Sequence, residues 1–439
     1  MKAILERCAG LDVHKRVIWA CVLLLGKDGT VKKFIRSFGA MTRDLLALSD
    51  FLAEHGVTDV AMESTGVYWK PVYNILEGSF RVLLCNAQHL KRVPGRKTDV
   101  KDSEWLAELV MCGLLKGSFV PPRPLREMRD LTRHRAQLTA ERAREVQRIE
   151  KIFEDANIKL GAVATDILGE SGRDMLNALI AGEEDAKKMA ELARGRLRSK
   201  IPQLQEALHG HVTEHHRFML KLHYEHVLYV EGLLKQVTDQ IGRLIDTGNL
   251  DPTAPKPDVP ESEAPAAPED SPLPFEEAAN LADEIPGINR HAAEDILAET
   301  GTDMRQFPSE RHLASWTKMC PGNDESAGKR KNARTGKGNR WLKRVMTQVG
   351  WAAARTKDTY FHAQFCRIAK RRGKKRAVLA VAHTILGVLY HMLKYHRHYQ
   401  ELGADFFDQL DPERVTRYHV GRLEDLGYNV TLTKAPVAA

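Results

Sequence analysis

The sequence has few cysteines, and they show no pairing pattern. Six cysteines are spread over 439 residues, and none belongs to a CxxC pair. Structural zinc sites and disulfide frameworks are usually recognised by such regular spacing. The sequence therefore argues against both, and we expect the protein to work in a reducing cytoplasm.

Long apolar runs are also missing. The longest candidate, residues 378–393, contains His383 and His391 and follows a cluster of Lys and Arg, whereas a membrane span needs roughly 18 apolar residues or more. Residues 1–15 lack the apolar stretch and cleavage site of a signal peptide. With 43% hydrophobic and 28% charged residues, the composition is that of a soluble globular protein. The length predicts two or three domains.

Acidic residues are scarce in one part of the chain. Residues 318–376 contain eighteen Lys or Arg and three Asp or Glu, a local net charge of +15, although the whole chain carries +8. Clustered cations attract polyanions because binding releases counterions that are condensed on phosphates. The sequence thus makes nucleic acid the leading partner, and a solvated basic surface is the alternative.

The first third of the chain alternates strands and helices. Apolar, β-branched runs predict a three-stranded meander over residues 9–13, 17–25 and 31–38. The pattern then predicts a helix over 42–54, a strand over 59–62, a helix after Gly66, a strand over 81–86 and a helix over 99–115. The order βββαβαβα is that of an α/β ribonuclease-H-like mixed sheet, which we assign to residues 1–122.

Helices are predicted to dominate the next part, residues 123–250. Long charged helices are expected over about 125–160 and 213–245. The second carries apolar residues at alternating spacings of three and four, which is a heptad seam: Val227, Val230, Leu234, Val237, Ile241 and Leu244. We interpret the region as a coiled coil that supports a homo-oligomer, a dimer or tetramer, and the alternative is an intramolecular helical hairpin.

A proline-rich segment separates these helices from a second domain. Residues 251–274 hold eight prolines and almost no large apolar residue, so they cannot build a core. We assign a linker to residues 251–275, a mainly α-helical C-terminal domain to 276–400, and a tail without an assigned role to 401–439.

Four acidic residues lie where the predicted elements of the first domain converge. Asp12 is on the first strand, and Glu63 ends the strand that begins near residue 59. Asp99 and Asp102 are three residues apart, which places both on one face of a helix. Hard divalent cations prefer carboxylate oxygens, whereas zinc prefers His or Cys. We predict a site for Mg²⁺ or Mn²⁺ that supports phosphoryl transfer, although each acid alone fits a helix cap or a solvated charge.

A second cluster combines small residues, a serine and cations. Small neighbours of Ser326 let the backbone approach a phosphate closely. A serine hydroxyl is a poor nucleophile until it is activated, so spacing alone favours a flexible basic loop. Asn339 fits either a helix N-cap or a phosphate donor. The predicted nucleic-acid-binding residues are Lys329, Arg330, Arg334, Lys337, Asn339, Arg340, Lys343 and Arg344.

Four segments together resemble a known family. They are GLDVHK at residues 10–15, MESTG at 62–66, KTDVKD at 97–102, and SAGKR at 326–330 followed by GN at 338–339. They resemble the DEDD transposases of bacterial insertion sequences of the one-hundred-ten type. The resemblance runs from about Cys8 to about Tyr399, with the motifs in the family's order.

The resemblance implies a RuvC-like N-terminal domain, a helical coiled coil and a smaller C-terminal transposase domain, with several protomers on DNA. It also implies a guide RNA, transcribed from the element, that pairs with donor and target DNA. By motif, Asp12, Glu63, Asp99 and Asp102 would bind Mg²⁺, and Ser326 would attack a DNA phosphate to form a phosphoserine link. The choice of Ser326 over Ser315 rests on its small and basic neighbours. The proline-rich segment departs from the family pattern.

The predicted function is therefore that of a transposase, a DNA recombinase in the bacterial cytoplasm. Two alternatives remain open from the sequence. One is a structure-specific nuclease of the Holliday-junction-resolvase kind, in which metal-activated water attacks the phosphate. The other is a non-catalytic scaffold that binds nucleic acid and whose acids only cap helices.

Overall fold

The computed structural model describes residues 3–64, 66–85, 99–115, 117–248, 250, 271–320, 324–326, 329–332, 335–336 and 338–433. For residues 99–101, 324–326 and 329–332 it describes the backbone alone. The chain divides into two compact units, Met1–Pro121 and Pro122–Ala439. Most of the proline-rich linker predicted at 251–275 lies outside the described residues.

The first unit is an α/β domain built on one mixed sheet. Its elements are β1 (Arg7–Val13), β2 (Val17–Leu25), β3 (Val31–Gly39), α1 (Thr42–Glu54), β4 (Asp59–Glu63), α2 (Trp69–Leu76), β5 (Arg81–Cys85) and α3 (Asp99–Met111). The predicted order βββαβαβα is confirmed. Strand β1 begins two residues earlier than predicted, because Arg7 and Cys8 continue the ladder with Leu24 and Leu23.

The strand order across the sheet is β3-β2-β1-β4-β5. Strand β1 pairs antiparallel with β2 and parallel with β4, so it is the central strand. Successive side chains of a strand point to opposite faces. Ala9, Leu11 and Val13 therefore pack in the core that also contains side chains of α1 and α2. Cys8 packs on the other face with side chains of α3.

The second unit is mostly helical. Its first part contains α4 (Arg123–Asp155), α5 (Leu160–Val163), α6 (Glu170–Ile180), α7 (Ala186–Glu191), a 3₁₀ helix (Gly195–Lys200), α8 (Ile201–Ala207) and α9 (Glu214–Asp246). Helix α9 starts with a capping box, in which Thr213 and His216 satisfy each other's backbone N–H groups. The two long helices predicted from the sequence are thus confirmed as α4 and α9.

Helices α4 and α9 form an antiparallel hairpin within the chain. Arg142 pairs with Glu231, and farther along α4 Asp155 pairs with His216, so the two helices run in opposite directions. Of the heptad seam, Val227, Val230 and Ile241 are buried. Apolar side chains of α4 pack in the same cores as Val227 and Ile241. An intramolecular helical hairpin, the alternative interpretation of the seam, thus accounts for the burial of these residues. The coiled-coil oligomer stays a prediction.

The last part of the second unit packs around one core. Its elements are α10 (Phe275–Asp283), α11 (Arg290–Thr300), a 3₁₀ helix (Met304–Gln306), α12 (Glu310–Thr317), β6 (Asp324–Ser326), β7 (Lys329–Asn332), α13 (Arg340–Arg355), α14 (Tyr360–Arg372), α15 (Lys374–Tyr395), α16 (Phe406–Gln409) and α17 (Pro412–Asp425). The mainly α-helical character predicted for residues 276–400 is confirmed.

One helix of the described chain, α15, is by length and composition apolar enough to cross a membrane. Its apolar stretch is 56% buried inside the protein. Val381, Ile385, Leu386 and Leu389 have at most 1% of their surface exposed and belong to the same core as side chains of α11 and α13. These side chains are therefore core residues of the second unit in this structure.

Candidate functional site

Two of the four predicted acids lie on one face of the sheet. Strands β1 and β4 are parallel neighbours, and Leu11 pairs with Met62. The next residues along the two strands are Asp12 and Glu63. By alternation, Asp12 shares the face of Cys8, and Glu63 shares the face of Ala61. Because Cys8 and Ala61 belong to one core, both acids lie on the face that α3 covers.

Helix α3 lies close against this face at Gly10. A Cβ atom on Gly10 would stand 2.2 Å from the Ser103 carbonyl oxygen and 2.4 Å from the Ala107 backbone nitrogen. Ser103 is completely buried, and the Cys8 thiol lies 3.5 Å from the Ala107 carbonyl oxygen, to which it donates. Asp102 immediately precedes Ser103 on this helix.

Replacing Gly10 by Ala tests this close approach. The added methyl group meets backbone atoms, which cannot rotate away as a side chain can, so we expect a loss of about 1–3 kcal/mol in the free energy of unfolding. Urea unfolding measures the loss. Gly78→Ala is the matched control, since a Cβ there meets nothing within 4 Å. Equal stability of the two variants would contradict the packing of α3 on β1.

His14 contacts the first acid. Its Nε2 lies 3.0 Å from the Asp12 Oδ2, with side-chain exposures of 49% for His14 and 16% for Asp12. His14 follows β1 directly, at the turn into β2, where its backbone N–H donates to the Val17 carbonyl. A histidine so placed can orient the Asp12 carboxylate by a hydrogen bond. The sequence motif contained His14 but offered no signal for this contact.

The donor set on this face suits a hard cation. Asp12 and Glu63 supply carboxylate oxygens, the ligands that Mg²⁺ prefers. The side chain of Asp99 is outside the described atoms, although Asp99 itself begins α3. Within the described residues, no group of three or more His, Cys, Asp or Glu is arranged so that it could hold a metal ion. The structure thus places Asp12 and Glu63 on one face of the sheet, and within the described residues it shows no formed metal site.

Three cysteines of the sheet, Cys8, Cys21 and Cys85, are free and buried. Burial raises the pKa of Cys8 and of Cys21 to about 12. Burial, and then the negative charge of Glu63, raise the pKa of Cys85 to about 11; Cys85 pairs with Glu63 across β4 and β5. These thiols stay protonated near neutral pH, whereas a metal ligand must be a thiolate. Without a bound metal, these three thiols are therefore neutral groups of the sheet.

Ser326 lies in a short hairpin and not in an irregular loop, which corrects the flexible loop that spacing favoured. Strand β6 pairs antiparallel with β7, and Ser326 pairs with Lys329. The backbone of Arg330 belongs to β7 as well. Arg334 and Lys337 lie outside the described residues. Backbone pairing restricts the conformations of Ser326 more than an irregular loop would.

Asn339 is the N-cap of α13. Its Oδ1 accepts hydrogen bonds from the backbone N–H groups of Trp341 at 3.0 Å and Leu342 at 3.2 Å. Its Nδ2 donates to the Glu299 Oε2 at 2.6 Å. Of the two roles considered from the sequence, the structure shows the cap. The amide of Asn339 is used within the protein, and its role as a phosphate donor stays a prediction.

Glu299 connects α4, α11 and α13. The carboxylate, 2% exposed, accepts two hydrogen bonds from Arg133, at 2.7 and 2.9 Å, besides the one from Asn339. Burial lowers the pKa of Arg129 to about 10, and the nearby Glu299 opposes that shift. Arg129 remains charged at neutral pH, and it donates to the backbone carbonyls of Ala298 and Glu299. The hydrogen bond from Asn339 to the Glu299 carboxylate therefore fixes the start of α13 to α11 and α4.

Three arginines surround a cleft beside the start of α13. The cleft, about 360 Å³, is lined by Gln137, Ala140, Arg144, Arg340, Trp341 and Arg344. The Arg340 guanidinium lies 4.8 Å from the centre of the Trp341 ring. Arg344 donates to the Ala136 carbonyl at 3.3 Å. Of the residues predicted to bind nucleic acid, the structure brings Arg340 and Arg344 together here, and it adds Arg144 of α4, which no sequence signal indicated.

The Lys343 side chain forms its contacts within the protein, with the segment that precedes α13. Its Nζ lies 2.6 Å from the Thr335 Oγ1, to which it donates. A second, longer contact of 3.5 Å reaches the Gly336 carbonyl oxygen. Lys343 therefore ties the segment before α13 to the helix. Its role as a phosphate contact stays a prediction.

Family comparisons agree with the motifs. A model of the DEDD transposases of IS110 elements, described as "Transposase", matches residues 9–158. A second model, described as "Transposase IS116/IS110/IS902 family", matches residues 279–366. Together these ranges cover just over half of the 439 residues. The first contains Asp12, Glu63, Asp99 and Asp102, and the second contains Ser326. No curated protein matches the chain.

Proposed function

Because the chain carries the two transposase domains of the IS110 family and is thus a DNA transposase that acts by phosphoryl transfer, we propose a specific mechanism for it. The protein mobilises an insertion sequence with Mg²⁺, a serine nucleophile and a guide RNA. Since the chain is an enzyme, the scaffold alternative is not retained. In this proposal, the transposition reaction takes place in the bacterial cytoplasm.

One observation supports the metal-dependent part of the mechanism: Asp12 and Glu63 lie on the same face of the sheet. The two carboxylates are on adjacent parallel strands, and Asp102 is on α3, the helix that covers this face. Asp99 is on the same helix. A strand holds a side chain with little conformational freedom, so Asp12 and Glu63 would need little reorganisation to bind a cation.

In this proposal, Asp12, Glu63, Asp99 and Asp102 would hold the Mg²⁺ ions. When bound, such ions stabilise the charge that develops on the oxygens around a phosphorus atom. His14 keeps the Asp12 carboxylate oriented through the 3.0 Å contact. The buried thiols of the sheet stay neutral and add no negative charge to the face.

Ser326 supplies the nucleophile. Its Oγ forms a bond to the phosphorus of a DNA phosphodiester while the bond from phosphorus to a sugar oxygen breaks. The hydroxyl proton of the serine ends on the departing sugar oxygen, so atoms balance. The phosphoserine ester keeps the energy of the broken diester, and the strand can be rejoined to a new hydroxyl without ATP.

The cleft beside α13 contributes binding of nucleic acid. Arg144, Arg340 and Arg344 present guanidinium groups, which pair well with phosphate oxygens. Trp341 holds the Arg340 guanidinium over its ring at this cleft. Lys329, Arg330, Arg334 and Lys337 would add positive charge near Ser326. The proposed partners are donor and target double-stranded DNA, a guide RNA and further copies of this chain.

A reconstituted recombination reaction tests the proposal. The purified chain is incubated with Mg²⁺, a plasmid that carries the element's ends, a target plasmid and the transcript of the element's non-coding segment. Sequencing is expected to find recombinant junctions that require the transcript. Absence of any strand cleavage under these conditions would contradict the proposal, and junctions formed equally well without the transcript would remove the guide RNA from it.

The alternative enzyme is a resolvase-like nuclease. The acids on the sheet face favour this nuclease as much as they favour the serine recombinase. In that reaction, water attacks the phosphate and Ser326 takes no part. The products would be linear DNA with free 5′-phosphate ends and no protein attached. The same reaction, analysed on a denaturing gel before and after protease treatment, separates the two mechanisms.

A further inference from the structure

Six cations surround the corner where α14 ends and α15 begins. Gly373 makes the corner, with a φ of +80° that other residues rarely adopt. The three residues before Gly373 and the three residues after it are all exposed and basic. We call this set the corner patch: Lys370, Arg371, Arg372, Lys374, Lys375 and Arg376.

The cations of the corner patch are not paired within the protein. In the part of the chain that the structure describes, none of the six side chains forms an ion pair or hydrogen bond. Elsewhere in the same unit, arginines such as Arg133 and Arg135 pair with carboxylates. A set of neighbouring, unpaired cations repels itself and must be held close by the fold.

The two halves of the patch differ in their effect on helix stability. Lys370, Arg371 and Arg372 occupy the last turn of α14, where positive charge is favourable because of the helix dipole. Lys374, Lys375 and Arg376 lie in the first turn of α15, where the dipole makes cations unfavourable. That turn has no acidic residue, and its N-cap Gly373 provides no side-chain hydrogen bond. Stability of the fold therefore accounts for the first half only.

We propose that the corner patch binds the phosphate backbone of double-stranded DNA without reading its sequence, at a surface defined separately from the cleft of Arg144, Arg340 and Arg344. The inference rests on the proposed function in that the protein must handle DNA. Phosphates would neutralise all six cations and meet the unpaired N–H groups at the start of α15. The patch lies beyond residue 366, where the second family match ends.

A lipid surface fits the patch less well. Stable binding of a basic helix to a membrane needs an apolar face that enters the lipid beside the cations. After the patch, the apolar residues Ala377, Val378, Val381 and Ala382 of α15 are all buried in the protein. They are not available to a membrane in this structure, whereas a DNA backbone needs only the cations.

The test removes the half of the patch that the fold does not need. A triple variant, Lys374→Gln, Lys375→Gln and Arg376→Gln, is compared with the wild-type chain in binding to a labelled DNA duplex of arbitrary sequence over a range of salt concentrations. We expect binding at low salt to weaken on the order of tenfold or more, and the slope of log affinity against log salt to decrease by about 3. The melting temperature is expected to stay equal or rise, because the dipole penalty is removed.

The control variant loses the same charge elsewhere. Lys187→Gln, Arg196→Gln and Arg198→Gln remove three exposed cations whose side chains have no partner in the described chain, and binding should change little. If the patch variant binds DNA like this control, the inference is overturned. It is equally overturned if the patch variant loses only the binding of anionic lipid vesicles and keeps the wild-type affinity for DNA.

The experiments distinguish failure of the proposed function from failure of the inference about the corner patch. A wild-type chain that binds DNA through the patch but never cleaves it would leave the inference standing and contradict the transposition mechanism. A wild-type chain that binds no DNA at low salt would overturn both. The Asp12→Asn variant, whose substitution is remote in sequence and in another unit, is expected to keep the salt slope of the wild type.

Discussion

Replacing Asp12 by Asn is expected to lower DNA strand cleavage by about a thousandfold, which corresponds to ~4 kcal/mol in activation free energy. The amide has nearly the shape of the carboxylate but lacks its charge, so the site loses affinity for Mg²⁺ and the charge on the phosphate is less stabilised. Asp12 is on the central strand with its side chain 16% exposed, and the fold should tolerate this substitution. Cleavage of labelled DNA with Mg²⁺, and with EDTA as a blank, measures the effect.

Glu104→Gln is the matched control for Asp12→Asn. Glu104 is on α3, the helix that covers the acid-bearing face, and its carboxylate accepts from the Lys33 Nζ at 3.0 Å. Loss of such a partly exposed ion pair costs about 0–1 kcal/mol, and cleavage should remain close to wild type. Full cleavage by Asp12→Asn would remove the carboxylate face from the mechanism. Equal loss in both variants would indicate damage to the domain rather than to a metal site.

The second large effect is expected from Ser326→Ala, which should abolish the covalent protein–DNA adduct. The methyl group cannot form a phosphoester, and no metal or base restores the missing oxygen. Binding of DNA should persist, because the cations around the hairpin and the cleft are unchanged. The measurement is a denaturing gel of labelled DNA after the reaction, in which the adduct migrates with the protein.

Ser315→Ala is the control, since Ser315 was the competing serine in the sequence. Ser315 lies exposed on α12, outside the small and basic segment that follows Ser326 in the sequence, and its variant should form the adduct at the wild-type level. An adduct that persists in Ser326→Ala but disappears in Ser315→Ala would reverse the assignment. Free 5′-phosphate ends without an adduct in the wild type would favour the nuclease with metal-activated water.

Much of the first unit follows from local pattern. The order of strands and helices was predicted because apolar residues recur with periods that are specific to each element. Asp12 and Glu63 were placed on strands for the same reason. The concentration of Lys and Arg after residue 318 is likewise a property of the sequence, and it required no knowledge of which side chains meet.

Contacts between distant segments were decided by the tertiary structure. The sequence did not show that α3 lies against Gly10, that His14 contacts Asp12, or that Arg144 joins Arg340 and Arg344. The heptad seam of α9 had two possible partners, and the structure shows α4 of the same chain. Periodicity reports which face of an element is apolar but not which element covers it. That choice depends on the packing of the whole unit, where many weak contacts add up.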